Sequence, residues 1–237
     1  MSILRTLLLL PAFAFVGGIA LLAWNGSASA SYAPPANPPQ TIVIGIDLSS
    51  SNPLIRDEGF AGRVAARIAP MITNLPPRSR VLLRSFGAYN AAANNKLSLD
   101  IVIAPKTARA EDIARLVGGV IGGLPKMVRD GRVQVQNSTN IVPFLMNISR
   151  SIDCRAMPVH VILASDGVED SQVAKLSRRT ATLPAPLSAP FPGCEELMIL
   201  GIGRGLNSPG DTERLFGEWQ FWSQSAGFQR FVGLNDW

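Results

Sequence analysis

The segment Thr41-Ile-Val-Ile-Gly-Ile-Asp-Leu-Ser-Ser-Ser51 carries most of the information about the fold of this 237-residue chain. Its first six residues are almost all apolar and mostly β-branched, without the alternating polar residues of a half-exposed strand. Such a run is typical of a parallel strand that is buried on both faces. The polar residues from Asp47 onward then predict a turn at the carboxyl end of this strand.

Strand-like and helix-like segments alternate along the rest of the chain. Apolar runs predict further strands at Arg80–Phe86, Leu97–Ala104, Val159–Ala164, Leu197–Ile202 and Phe228–Leu234. Apolar residues at helical spacing predict helices over 57–73, over 108–124 with Thr107 as N-cap, over 140–150, and from Ser208 to Gly227. Strands separated by helices predict an α/β fold, a doubly wound, mostly parallel sheet flanked by helices.

The composition excludes several classes of protein. With 47% hydrophobic and 16% charged residues, the chain is too apolar for a disordered protein. One histidine and two cysteines exclude zinc fingers and histidine-rich metal sites. The net charge of +5 comes from scattered basic residues, so we expect no nucleic-acid partner.

The first 40 residues have the pattern of a leader and a spacer. Arg5 precedes an apolar run from Thr6 to Trp24, and small residues follow up to Ala30. Residues 1–30 are therefore a signal peptide cleaved after Ala30 or an uncleaved N-terminal membrane anchor. Residues 31–40 form a Pro-rich linker, and residues 41–237 form the folded domain. Both alternatives place the domain outside the cytoplasm, either periplasmic or secreted, with membrane contact only through the anchor.

Oxygen-bearing side chains follow several of the predicted strands. Asp47, Ser49 and Ser51 come after the first strand, Thr139 comes just before a helix, and Asp166 comes after the fourth strand. Ligands collect at the carboxyl ends of strands in a doubly wound sheet. Two carboxylates and three hydroxyls are the hard ligands that Mg²⁺ prefers.

These motifs resemble a von Willebrand factor type A (vWA) domain, a Rossmann-like fold, with a metal-ion-dependent adhesion site (MIDAS). The resemblance rests on Asp47-Leu-Ser-Ser-Ser51, on Thr139 and on Asp166-Gly167, and the element order extends it over roughly 41–235. It implies that Mg²⁺, or Mn²⁺ or Ca²⁺, is bound by Asp47, Ser49, Ser51, Thr139 and Asp166. It also implies a protein partner that binds the metal through an acidic residue. Asn137-Ser138 departs from the Gly-Gly that commonly precedes the threonine, and Ser165 stands where a threonine is common.

Two further expectations concern the disulfide, which follows from the resemblance, and the residues after Asp166. The resemblance makes the fourth and fifth strands neighbours, which brings Cys154 and Cys194 to one edge of the sheet and, in an oxidising compartment, predicts a disulfide. Glu169 and Asp170 follow Asp166 closely, and they either shape the rim of the site or lie in a solvated loop.

We expect a binding protein and no enzyme. His160, the only histidine, lies at the start of the fourth strand, at the opposite edge from Ser49 and Asp166, so a catalytic triad is excluded. The first hypothesis is an extracytoplasmic, metal-dependent protein-binding module for adhesion or assembly. The alternatives are a structural component of an envelope complex with an incidental metal, and a metal-assisted phosphoryl hydrolase that uses Asp47.

Overall fold

The apolar segments of the sequence form one six-stranded sheet. Its strands are β1 (Thr41–Asp47), β2 (Arg80–Phe86), β3 (Ser98–Val102), β4 (Val159–Ala164), β5 (Glu196–Leu200) and β6 (Arg230–Leu234). The strand order is β3-β2-β1-β4-β5-β6. Only β3 runs antiparallel to its neighbour within this sheet, and the other pairs are parallel. The predicted α/β class with a mostly parallel sheet is confirmed.

This computed structural model describes residues 37–88 and 97–237. The predicted leader at 1–30 and the linker up to residue 36 lie outside these residues. Within the described parts of the chain, no helix is long and apolar enough to cross a membrane.

The helices cover both faces of the sheet. They are α1 (Glu58–Thr73), α2 (Ala110–Gly122), α3 (Leu124–Arg129), α4 (Ile141–Ile148) and α5 (Pro209–Ala226). Side chains of β1 alternate between the two faces, as the period of a strand requires. Ile42 and Ile44 pack in one apolar core with α1 and α2, whereas Val43 packs in a second core with α4 and α5. Trp219 and Trp222 are buried in that second core, as their helical spacing predicts.

The predicted helix over 108–124 is wrong in two respects. Thr107 is not the N-cap, because Ala104 and Ala108 exchange backbone hydrogen bonds that hold Thr107 in a turn, and α2 begins after Arg109. The helix also ends at Gly122, and α3 starts with Pro125 in its first turn. Proline has no N–H group to continue the hydrogen bonds of α2, so the chain begins a new helix there.

The connection from β4 to β5 contains no helix. Residues 165–195 form a long irregular segment, and its side chains Leu183 and Phe191 are buried. Cys154 and Cys194 form a disulfide with their Cα atoms 4.9 Å apart, which confirms the predicted bridge.

The register of β1 and β4 determines where the polar residues meet. Ile46 lies opposite Ala164 in this parallel pair. Asp47 and the Ser165-Asp166 segment therefore leave the sheet side by side, at its carboxyl edge.

Candidate functional site

Asp47, Ser49 and Ser51 lie in one tight turn at the end of β1. Asp47 is fully buried, and its Oδ1 accepts a hydrogen bond from the backbone N–H of Ser49 at 2.8 Å. The hydroxyls of Ser49 and Ser51 are 3.3 Å apart. Ser49 is buried and Ser51 is exposed, so the turn runs from the interior to the surface. Alternate side chains of this segment thus bring one carboxylate and two hydroxyls together.

The turn after β4 contacts this group directly. The hydroxyl of Ser165 donates to Oδ2 of Asp47 at 2.7 Å, and the backbone N–H of Gly167 donates to the same Ser165 hydroxyl at 3.0 Å. Oδ1 of Asp166 accepts from the backbone N–H of Val168 at 2.9 Å. Asp166 is 2% exposed, so both carboxylates of the candidate site are buried.

Thr139 lies in the segment that precedes α4, and it is buried as well. Its backbone exchanges hydrogen bonds with the backbone of Asp170, at 3.2 Å and 2.9 Å. The same segment contacts the first turn through Gln136, whose carbonyl accepts from the backbone N–H of Ser50 at 2.8 Å. The fold thus packs the Thr139 segment against both of the turns that carry the other candidate ligands.

The two carboxylates disfavour each other's charge. Burial is the main cause that raises the pKa of Asp47, and the negative charge of Asp166 raises it further. Burial also raises the pKa of Asp166, although hydrogen bonds from the Val168 backbone and the Ser51 side chain act in the opposite direction. A nearby cation would stabilise the ionised forms of these two buried acids.

The residues present fit a hard divalent cation. Their donors are carboxylate and hydroxyl oxygens, which suit Mg²⁺, Mn²⁺ or Ca²⁺ and leave room for retained waters. In residues 37–88 and 97–237, no group of three or more histidine, cysteine, aspartate or glutamate side chains is placed to hold a metal ion. A site here therefore depends on the hydroxyls of Ser49, Ser51 and Thr139.

Two residues that sequence reasoning missed fix the turns in place. Asn52 is fully buried, and its Nδ2 donates to the backbone carbonyls of Asp47 at 2.8 Å and Ala164 at 3.0 Å. It thereby ties the ends of β1 and β4 together. The sequence marks Ser165 only as a departure from the pattern that the chain resembles, yet its hydroxyl donates directly to Asp47. The contacts Asn52–Ala164 and Ser165–Asp47 join positions more than a hundred residues apart, so no local pattern reveals them.

Glu169 does not lie in a solvated loop, which was one of the two alternatives that the sequence left open. It is 0% exposed, and its Oε2 accepts hydrogen bonds from the backbone N–H groups of Ile141 and Val142. Asp170 is partly exposed and forms an ion pair with Lys175 at 3.6 Å.

A groove opens beside Thr139. Its volume is about 690 Å³, and its walls come from residues 137–143 on one side and 170–175 on the other. Asn137, Gln172 and Lys175 are among the exposed side chains that line it. The groove therefore lies next to a candidate ligand and combines apolar surface with exposed polar side chains.

His160 lies at the opposite end of β4, as expected. Its Nδ1 is 3.7 Å from Oε2 of Glu196, a buried residue on the neighbouring strand that also pairs with Arg230 at 3.0 Å. This cluster is separated from Asp166 by the length of β4.

Comparisons with known proteins give distant likenesses only. No family model matches the chain, and no curated protein matches it. The pilus adhesin SpaC from Lactobacillus rhamnosus GG is 14% identical with a TM-score of 0.44, over 85% of this chain and 28% of the adhesin. An aerotolerance-related membrane protein from Bacteroides fragilis is 11% identical with a TM-score of 0.43, over 83% of this chain and 92% of that protein. BatB from Bacteroides thetaiotaomicron is 11% identical with a TM-score of 0.43, over 83% and 91% of the two chains.

The chain spans about a quarter of the adhesin's length. The strand order, the parallel pairs and the helices on both faces together form a doubly wound α/β fold.

Proposed function

We propose that the domain is an extracytoplasmic, metal-dependent protein-binding module, used in adhesion or assembly. In this proposal Asp47, Ser49, Ser51, Thr139 and Asp166 hold Mg²⁺ or a similar divalent cation, and an acidic residue of a protein partner completes its ligands. The observation that carries the proposal is the meeting of the Asp47 turn, the Asp166 turn and the Thr139 segment at one edge of the sheet. A cation there binds a carboxylate of the partner, and the three segments of the domain hold the cation in a fixed position.

Two other observations support the proposal. The groove beside Thr139 offers a surface on which a partner segment can lie next to the candidate ligands. The Cys154–Cys194 disulfide supports a location in an oxidising compartment outside the cytoplasm.

The alternative is a structural component of an envelope complex in which the metal is incidental. One observation favours it, because the carboxylate of Asp47 already has hydrogen-bond partners in Ser49 and Ser165. The turn is thus ordered by the chain itself. We also propose that the domain is no enzyme, since its single histidine lies at the far end of β4 from Asp166.

Calorimetric titration of Mg²⁺ into metal-free protein tests the metal site. We expect saturable binding by the parent protein and none by Asp47→Ala, because this variant loses one of the two carboxylates. Asp153→Ala is the matched control, since Asp153 makes the same kind of contact, to the backbone N–H of Arg155 at 2.9 Å, in an exposed turn. Mg²⁺ binding that is equally tight in Asp47→Ala would contradict the metal site.

Partner capture separates the two hypotheses. The immobilised parent domain is incubated with native envelope extract in the presence of Mg²⁺ and, in parallel, in the presence of a chelator. A partner that is retained only with Mg²⁺ and is lost in Asp47→Ala supports the metal-dependent module. A partner retained equally under both conditions supports the structural alternative.

A further inference from the structure

Glu169 joins the two segments that carry Thr139 and Asp166. It lies three residues after Asp166, and its Oε2 accepts hydrogen bonds from the backbone N–H groups of Ile141 at 2.8 Å and Val142 at 3.0 Å. These are the first two residues of α4, and Thr139 directly precedes the N-cap residue of that helix. One buried carboxylate therefore spans the gap between the two segments.

The first N–H groups of a helix have no acceptor within the helix. Asn140 occupies the N-cap position of α4, but its side-chain oxygen makes no capping bond, and its Nδ2 donates to the carbonyl of Gly87 at 2.6 Å. Glu169 takes over this role from a position 28 residues away in the sequence. A carboxylate at this end of a helix also interacts favourably with the helix dipole.

Backbone contacts on either side of Glu169 strengthen the connection. Thr139 and Asp170 exchange backbone hydrogen bonds, and the carbonyl of Glu169 accepts from the backbone N–H of Leu176 at 2.8 Å. The segment after Asp166 is thus held to the start of α4 by main-chain and side-chain bonds together. A shift of Glu169 relative to α4 would change the position of Thr139 relative to Asp166.

We propose that Glu169 is a positioning residue of the metal site, which fixes Thr139 relative to Asp166 so that both side chains reach the same cation. This inference rests on the proposed function and deepens it. In this proposal Glu169 acts through the two ligand segments, because its Oε2 is engaged by the backbone N–H groups of Ile141 and Val142. Residues that hold metal ligands in place are commonly worth about 10-fold to 100-fold in metal affinity.

The test compares Mg²⁺ affinity, measured by calorimetry, in the parent protein and in matched variants. We expect Glu169→Ala to weaken Mg²⁺ binding about 10-fold. Glu169→Gln should restore an affinity close to the parent's, because its amide oxygen can still accept from α4. Glu218→Ala is the control, since Glu218 likewise accepts a backbone hydrogen bond from a distant segment, from Leu183 at 2.7 Å. It should leave Mg²⁺ affinity unchanged.

Glu169→Asp provides a second variant if Glu169→Ala does not fold. It keeps the carboxylate but is one methylene shorter, so it should draw the segments out of place and weaken Mg²⁺ binding. The amide resonances of Ile141 and Val142 in metal-free protein report on the hydrogen bonds independently of any metal.

The outcomes separate the two proposals. If the parent binds Mg²⁺ and folded Glu169→Ala or Glu169→Asp binds it equally well, the inference is overturned and the proposed function stands. If the parent binds no Mg²⁺, the proposed function fails and the inference fails with it. The amide resonances then show whether Glu169 serves α4 alone.

Discussion

Asp47 is held in a demanding environment. Its carboxylate is fully buried, accepts hydrogen bonds from Ser49 and Ser165, and is repelled by the charge of Asp166. Its two hydrogen bonds order the side chain, but burial and the second carboxylate oppose its ionisation. The ionised Asp47 side chain therefore destabilises the metal-free protein, and a cation that binds there offsets this cost.

Replacement of Asp47 by Asn tests this cost. Above neutral pH and without metal, Asp47→Asn should raise the free energy of unfolding by about 1 kcal/mol, because it removes a buried charge next to Asp166 and keeps an acceptor for Ser49. Mg²⁺ should no longer stabilise the variant. Urea unfolding with chelator and with Mg²⁺ measures both effects.

Asp153→Asn is the control for this prediction, because Asp153 accepts from Arg155 in an exposed turn. It should change neither quantity appreciably. Destabilised metal-free Asp47→Asn, or a parent protein that Mg²⁺ does not stabilise, would contradict the prediction.

At this scale the sequence predicts local groupings and misses distant ones. Asp47, Ser49 and Ser51 are spaced so that their side chains meet in one turn, and this follows from the period of an extended chain. The contacts of Asn52 with Ala164 and of Ser165 with Asp47 depend on which strands are neighbours. No residue near them in the sequence signals such a contact.

The element that most affects the candidate site is α4. It has eight residues, and its first amides are held by a carboxylate from another segment. Burial raises the pKa of this carboxylate, Glu169, to about 7 from an ordinary value of 4.5. The capping of α4 is therefore coupled to pH.

The sign of this coupling follows from the direction of the shift. Between pH 4.5 and about 7, folded Glu169 keeps a proton that the unfolded chain has lost, so this residue's contribution to stability falls as pH rises. Glu169→Gln does not titrate. The difference in unfolding free energy, parent minus variant, should therefore fall by about 3 kcal/mol across this range.

Denaturant unfolding of both proteins at a series of pH values measures this difference. Asp47 and Asp166 titrate in both proteins, so their contribution cancels. Parallel stability profiles for the parent and Glu169→Gln would show that Glu169 does not have the raised pKa.

Sequence patterns predict the boundaries of the helices less accurately than the helices themselves. The apolar spacing over 108–124 identifies helical residues correctly. It does not indicate that Ala104 and Ala108 exchange backbone hydrogen bonds, which delay the start of α2 until after Arg109. Pro125 gives a local signal for the break, since proline favours the first turn of a new helix. Glu169 gives no local signal in the sequence, because it caps a helix that precedes it by many residues.

On the scale of the whole molecule, the pattern of the strands is enough to predict the architecture. Buried apolar runs such as Thr41–Ile46 separated by helices leave few arrangements other than a mostly parallel, two-sided sheet. The neighbours in the sheet, and hence the meeting of the Asp47 and Asp166 turns, are a property of the complete fold. The sequence predicts which strands are neighbours only through the resemblance to a known family.

The disulfide should contribute substantially to global stability. It closes a loop with a sequence separation of 40 residues between Cys154 and Cys194. Its removal by Cys154→Ser with Cys194→Ser should lower the free energy of unfolding by about 4 kcal/mol, because the unfolded chain gains conformational freedom. Denaturant unfolding of the parent and the double variant, each under non-reducing conditions, measures the loss. Equal stability of the two proteins would contradict the prediction.

The contact between α5 and the turn after β4 has an optical consequence. The indole Nε1 of buried Trp219 donates to the carbonyl of Gly167 at 2.7 Å, directly after Asp166. Tryptophan emission is sensitive to the polarity and hydrogen bonding around the indole ring. The molecule thus carries an intrinsic fluorophore attached to the Asp166 turn, and changes in that turn can be followed in the unlabelled protein.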